Sequence, residues 1–202
     1  MSDEATTDHR PTIDHRPTIA LVGDSLTAAG NWDEWLPDRA VLNLGVSGDT
    51  TDDVLARIDD VLQAQPESVA LMIGTNDLGT RRSVEHLVRN VEYLLVSLRR
   101  DLPGVRMLVQ SILPRGREFA AQIQDANRHL RQFAPTVNAQ YLDLWPAFAQ
   151  EDGEIDPALS DDRLHLNEDG YRAWVDELLP ALERLDGAPP MSRPISIIRP
   201  ES

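Results

Sequence analysis

The chain contains no cysteine and no lysine. Without thiols there are no disulfides, no thiolate metal sites and no cysteine nucleophile, so stability has to come from packing. All 19 basic residues are arginine, and against 34 acidic residues they leave a formal charge of -15. A surface of that sign repels phosphate backbones, which argues against nucleic acid as a partner. The acidity reads as a solvated surface; the alternative reading is repulsion of anionic substrates. No apolar run approaches the roughly 18 residues that a membrane-spanning helix needs, and Met1 to Arg10 is polar with no apolar leader core. The expectation is a cytoplasmic protein with no stable membrane anchor.

At 202 residues, 41% of them apolar, the chain suits one domain with a sizeable core. The hexapeptide Asp-His-Arg-Pro-Thr-Ile occurs twice, at Asp8 to Ile13 and Asp14 to Ile19, and only the second copy runs into an apolar stretch. Six residues are too few for a solenoid repeat, so residues 1–17 read as a flexible arm. His9 and His15, six apart in that arm, form no preset metal site. After Gly187, three prolines in seven residues oppose both helix and ladder, and 187–202 reads as a disordered tail. Its Ile195, Ile197 and Ile198 leave a short docking strand open. The domain is expected to span 18–186.

Within it, strand-length apolar runs alternate with amphipathic stretches, the pattern of β-α units building a parallel sheet. Strands are expected at Thr18 to Val22, Ala40 to Leu44, Ser68 to Ile73, Arg106 to Ser111 and Val137 to Leu142. Helices are expected at Asp52 to Ala64, Ser83 to Leu102, Phe119 to Phe133 and Glu168 to Leu185. Pro66, Pro103-Gly104, Pro135 and Gly187 mark their ends.

Four short motifs punctuate this pattern: Gly23-Asp24-Ser25-Leu26, Gly45-Val46-Ser47-Gly48-Asp49, Gly74-Thr75-Asn76-Asp77 and Asp162-Arg163-Leu164-His165. The first three directly follow predicted strands, so in a parallel sheet they meet at one edge. Ser25 is a candidate nucleophile and His165 the base that a neutral hydroxyl requires. Asp162, three residues before the histidine, would fix its tautomer. The backbone N–H groups of Ser25 and Gly48 and the Asn76 amide are candidate donors to an oxyanion. Asp24 and Asp77 are expected to brace their loops by accepting backbone N–H bonds. Each motif alone is an ordinary turn or cap; the functional reading rests on their conjunction.

Together the four blocks resemble the SGNH hydrolases, also called the GDSL esterase/lipase family, over nearly all of Thr18 to Leu185. The family's Ser, Gly, Asn and His map onto Ser25, Gly48, Asn76 and His165, and the Asp of its final Asp-x-x-His onto Asp162. The stretches Val41 to Thr51 and Ser111 to Gly116 look most like the branch containing the catalytic subunits of intracellular platelet-activating factor acetylhydrolase. The resemblance implies a flavodoxin-like three-layer α/β/α sandwich with a five-stranded parallel sheet of order 2-1-3-4-5. It also implies hydrolysis of small-molecule carboxylic esters through an acyl-enzyme, with no cofactor and no metal. Ser25 lacks the Gly-x-Ser-x-Gly elbow of α/β-hydrolases, because Thr27 stands where the second glycine would be.

Leu26 and Leu164 flank the nucleophile and base; pointing into the acyl side they would favour short chains such as acetyl, and otherwise they pack beneath the loop. Trp32 and Trp35 either wall the leaving-group side or pack against a helix. Two competing readings are a non-catalytic binding or scaffold protein with the same fold, and a metal-dependent hydrolase using Asp24, Asp77, Asp162 and His165. The residues leave oligomeric state open, although a homodimer is the commonest closed assembly and the branch resemblance leans the same way.

Overall fold

A computed structural model describes residues 16–188, so His9, His15 and most of both terminal segments lie outside the described residues. The chain alternates strand and helix from β1 (Thr18–Gly23) through the short helices α1 (Ser25–Ala28) and α2 (Trp32–Trp35) to β2 (Ala40–Gly45). It continues through α3 (Thr51–Ala56) and α4 (Ile58–Ala64), β3 (Ser68–Met72), α5 (Thr75–Gly79), α6 (Val84–Asp101) and β4 (Arg106–Gln110). Helix α7 (Ala120–Phe133), β5 (Ala139–Leu142), α8 (Trp145–Phe148) and α9 (Glu168–Asp186) complete it. All strand pairs are parallel and the order is β2-β1-β3-β4-β5.

Side chains alternate across each strand, and two separate clusters result. Ala20, Val22, Leu71 and Val109 face the cluster built with α3, α4, α6 and α7, where Leu87, Val91, Leu94 and Leu98 form the long apolar stripe of α6. Ile19, Leu21, Ala70 and Leu108 face the other, filled by Leu26, Trp32, Trp174, Leu178 and Leu182 from α1, α2 and α9. A sheet covered on both faces explains why its strands read as near-continuous apolar runs. The second layer carries a polar tie, because the buried Trp174 indole N–H donates to Gln110 Oε1 at 2.7 Å and joins α9 to β4.

The expected strands are in place with small differences at their ends. Val137 belongs to a 3-10 turn, Ala134–Val137, and Asn138 adopts left-handed φ of 53°, so β5 begins at Ala139. The helix expected at Asp52 to Ala64 is two helices, broken at Arg57, whose φ of -116° leaves the helical region. Residues Arg16 and Pro17, assigned by sequence to the arm, are tied to the body: Arg16 Nη1 donates to Pro37 O at 3.2 Å and Pro17 O accepts from Ala40 N at 3.0 Å. Among the described residues no helix is long and apolar enough to cross a membrane.

Candidate active site

The chain leaves β1 for β2 on one side and returns to β3 on the other, so the sheet order reverses beside β1, and the carboxyl ends of parallel strands at such a reversal are where ligands bind in open α/β sheets. Ser25, Gly48 and Asn76 follow the three strands that flank this point. Immediately after β1, the Asp24 carboxylate caps α1 by accepting from Leu26 N at 3.0 Å, which sets Ser25 at the first position of a single helical turn.

Asp162 and His165 lie in the loop before α9. Asp162 Oδ1 accepts from Leu164 N at 2.9 Å and His165 N at 2.7 Å, winding the loop back on itself, while Oδ2 lies 2.7 Å from His165 Nδ1. Arg163 takes up the curvature with φ of 65°. The other ring nitrogen, His165 Nε2, lies 3.3 Å from Ser25 Oγ. The His165 bond holds the Asp162 carboxyl down at about 2, so it is an anion at neutral pH. An anion facing Nδ1 selects the Nδ1–H tautomer and leaves the Nε2 lone pair toward the serine.

Asn76 sits on α5, where Nδ2 donates to Asp49 O at 2.9 Å. A carbonyl can only accept, so this bond fixes the amide orientation and leaves the second N–H of Nδ2 for another acceptor. Gly74 precedes this turn with φ of 131°, and a Cβ there would lie 2.7 Å from Ile112 Cδ1 and 2.8 Å from Leu87 Cδ1. Gly48 has φ of 86°, yet a Cβ would meet nothing within 4 Å. Its requirement is conformational, and open space lies beside it.

Asp24 and Asp77 brace their loops as expected. Asp77, fully buried, accepts from Thr51 N at 2.9 Å and Thr51 Oγ1 at 2.6 Å, tying α5 to the start of α3. Burial raises its pKa. Asp24 is only 1% exposed and burial pushes it up to about 6, against the opposing pull of the Leu26 N–H and His165. Among the described residues no group of three or more His, Asp or Glu side chains is set to hold a metal ion.

Two of the residues suggested for substrate contact belong instead to the core. Trp32 is 2% exposed, its Nε1 donates to Thr27 O at 2.7 Å, and it makes edge contacts with Trp35, Tyr171 and Trp174. Leu26 is buried in the same cluster, and its carbonyl accepts from Tyr171 Oη at 2.8 Å. Leu164 is half-buried in the loop between Asp162 and His165.

Sequence reasoning missed the residues that hold these loops. Arg57 donates through Nε to Asp49 Oδ2 at 2.7 Å, and through Nη2 to Leu44 O at 2.9 Å and Gly23 O at 3.3 Å. Arg115 Nη1 donates to Thr75 O at 3.1 Å beside Asn76, with its guanidinium 4.1 Å over the Phe119 ring. The largely buried Glu154 pairs with Arg163 Nε at 3.4 Å inside the histidine loop. Only the tertiary fold brings these partners together.

Among curated proteins, the platelet-activating factor acetylhydrolase IB subunit alpha1 of Bos taurus is 27% identical over 164 residues, covering 76% of this chain and 69% of that protein. A GDSL-like lipase from Bacteroides thetaiotaomicron superimposes with a TM-score of 0.74 at 19% identity, over 84% of this chain and 89% of that one. A catalytic mutant of an acetylxylan esterase from Geobacillus stearothermophilus gives 0.69 at 20% identity, over 81% and 93%. The model of the GDSL-like Lipase/Acylhydrolase family matches residues 21–173. With that match reaching all five strands and containing all four motifs, the chain belongs to the GDSL-like lipase/acylhydrolase family and is a carboxylic ester hydrolase.

Proposed function

We propose that the protein hydrolyses short-acyl esters, acetyl esters foremost, through Ser25, His165 and Asp162. The observation that carries this reading is the relay from Asp162 Oδ2 to His165 Nδ1 at 2.7 Å and from His165 Nε2 to Ser25 Oγ at 3.3 Å. Ser25 Oγ attacks the acyl carbon as its proton passes to His165 Nε2, and Asp162 stabilises the imidazolium. The carbonyl oxygen becomes an oxyanion that accepts from Ser25 N, Gly48 N and the second N–H of Asn76. Collapse expels the alkoxide, which takes the proton from His165 and leaves an acyl-serine. Water, deprotonated by the same nitrogen, attacks this ester and releases the carboxylic acid and Ser25.

The acetyl preference draws support from the acetylhydrolase and acetylxylan esterase resemblances. Leu164 is the one suggested acyl-side residue that retains exposure beside the histidine. A panel of p-nitrophenyl esters graded by acyl length tests the reading. It should show the highest kcat/KM for acetyl, with turnover lost in Ser25→Ala while the circular dichroism spectrum is retained. Undiminished turnover in that folded variant would refute the mechanism, and a maximum at long chains would refute the preference. A protein that only binds esters would give no turnover in any form.

A further inference from the structure

The oxyanion loop runs from Val46 to Thr50, between β2 and α3, and offers little apolar anchorage of its own. Val46 is 43% exposed, and a Cβ built on Gly48 would meet no atom within 4 Å. Thr50 is capped locally by Asp53 Oδ2, which accepts from its N–H at 2.9 Å and its Oγ1 at 2.6 Å, and two contacts tie Asp49 to the rest of the site: Asp49 O accepts from Asn76 Nδ2, and Asp49 Oδ2 receives Arg57 Nε at 2.7 Å. The same guanidinium reaches Leu44 O, at the end of β2, and Gly23 O, two residues before Ser25. One rigid, planar fork thus joins the nucleophile strand, the neighbouring strand and the oxyanion loop. The pair is largely withdrawn from solvent, with side-chain exposures of 19% for Arg57 and 12% for Asp49, so it is less screened than a surface ion pair.

We propose that Arg57 is the positioning residue of the oxyanion hole, setting Gly48 and Asn76 relative to Ser25 through Asp49. This rests on the assignment of Gly48 and Asn76 as oxyanion donors. The break between α3 and α4 falls at Arg57 itself, where continued helix would give this side chain a different direction. Lysine cannot substitute, because one ammonium on a flexible stem does not present the planar fork that engages three acceptors here.

The test is a mutant cycle on p-nitrophenyl acetate. Arg57→Ala should lower kcat by about 10- to 100-fold, the scale of a small misplacement of reacting groups. KM should change by less than about threefold, because the oxyanion donors act in the transition state. In an Asn76→Ala background the kcat factor for Arg57→Ala should shrink by at least about threefold, because part of what it positions is gone. Equal factors in the two backgrounds would overturn the proposal. Asp49→Ala, which keeps every backbone bond of the loop but removes the acceptor of Arg57 Nε, should lower kcat like Arg57→Ala, and wild-type kcat in that variant overturns the proposal even if Arg57→Ala does not fold. Full activity in Asn76→Ala would instead remove the oxyanion assignment beneath it, so the two failures are distinct.

Discussion

Asp162 and His165 are joined twice: the carboxylate meets Nδ1 of the ring through Oδ2 and the backbone N–H of the same residue through Oδ1, both at 2.7 Å. A three-residue spacing therefore fixes both the ring and the turn that carries it. Asp162→Asn preserves the size of the side chain and an acceptor for the turn, but its amide presents either an N–H to Nδ1 or a neutral carbonyl in place of the anion. Loss of kcat by about 10³- to 10⁴-fold with an intact fold is expected, as when a triad carboxylate is neutralised. Stopped-flow or steady-state assays on p-nitrophenyl acetate measure this directly, and a loss of less than tenfold would mean that the anion does not orient the base.

Asn76→Ala removes the proposed oxyanion donor together with its bond to Asp49 O. We expect kcat to fall about 100- to 1,000-fold with KM within a few-fold of wild type, the pattern of an interaction made in the transition state. A rise in KM at constant kcat would instead assign the side chain to ground-state binding.

Gly48 and Gly74, two of the three described glycines with positive φ, should respond differently to alanine. At Gly48 the only cost is backbone strain, about 1 to 2 kcal/mol, because the added Cβ has free space. At Gly74 the strain is joined by collisions with Ile112 and Leu87, for a total of about 2 to 6 kcal/mol. Urea unfolding of both variants decides the order, and equal losses would contradict it.

Burial of Asp24 makes stability depend on pH in a defined direction. Its folded pKa is raised to about 6 from a reference of 3.8. Its contribution is therefore fully present below pH 3.8 and is lost as pH rises through about 6, when the folded state must hold a buried carboxylate. The loss is on the order of 3 kcal/mol. Asp24→Asn keeps the capping acceptor and removes the titration. Between pH 4 and pH 7.5 its stability should rise by about that amount relative to wild type in urea melts. Parallel pH profiles would show that Asp24 does not titrate in this window.

Trp32 offers a test that separates core from pocket. Trp32→Phe loses the indole bond to Thr27 O and should cost about 1 kcal/mol of stability, without changing the ranking of acyl chain lengths. A changed ranking would return Trp32 to the substrate site.

The legible parts of this protein are those where function and local pattern coincide. Ser25, Gly48 and Asn76 could be placed because each follows a strand that apolar runs announce, and strand ends in a parallel sheet share an edge. The Asp162 and His165 pair was readable because its geometry closes within four residues. Arg57 was not readable, since it lies off the apolar stripe of Val54, Ile58 and Val61, and its acceptors are 8 to 34 residues away in sequence. The helix break at Arg57 was hidden for the same reason: the periodicity runs through it, and no proline or glycine marks it. Trp32 was ambiguous because an indole near a nucleophile serves a pocket or a core equally well; its burial against Trp174 depends on α9, about 140 residues later in the chain.

The proposed hydrolysis depends on activation of the Ser25 hydroxyl by His165. A fluorophosphonate probe followed by peptide mass spectrometry tests it most directly. A single adduct on Ser25, abolished in folded His165→Ala, is expected. An unmodified Ser25, or equal labelling in the two proteins, would contradict it.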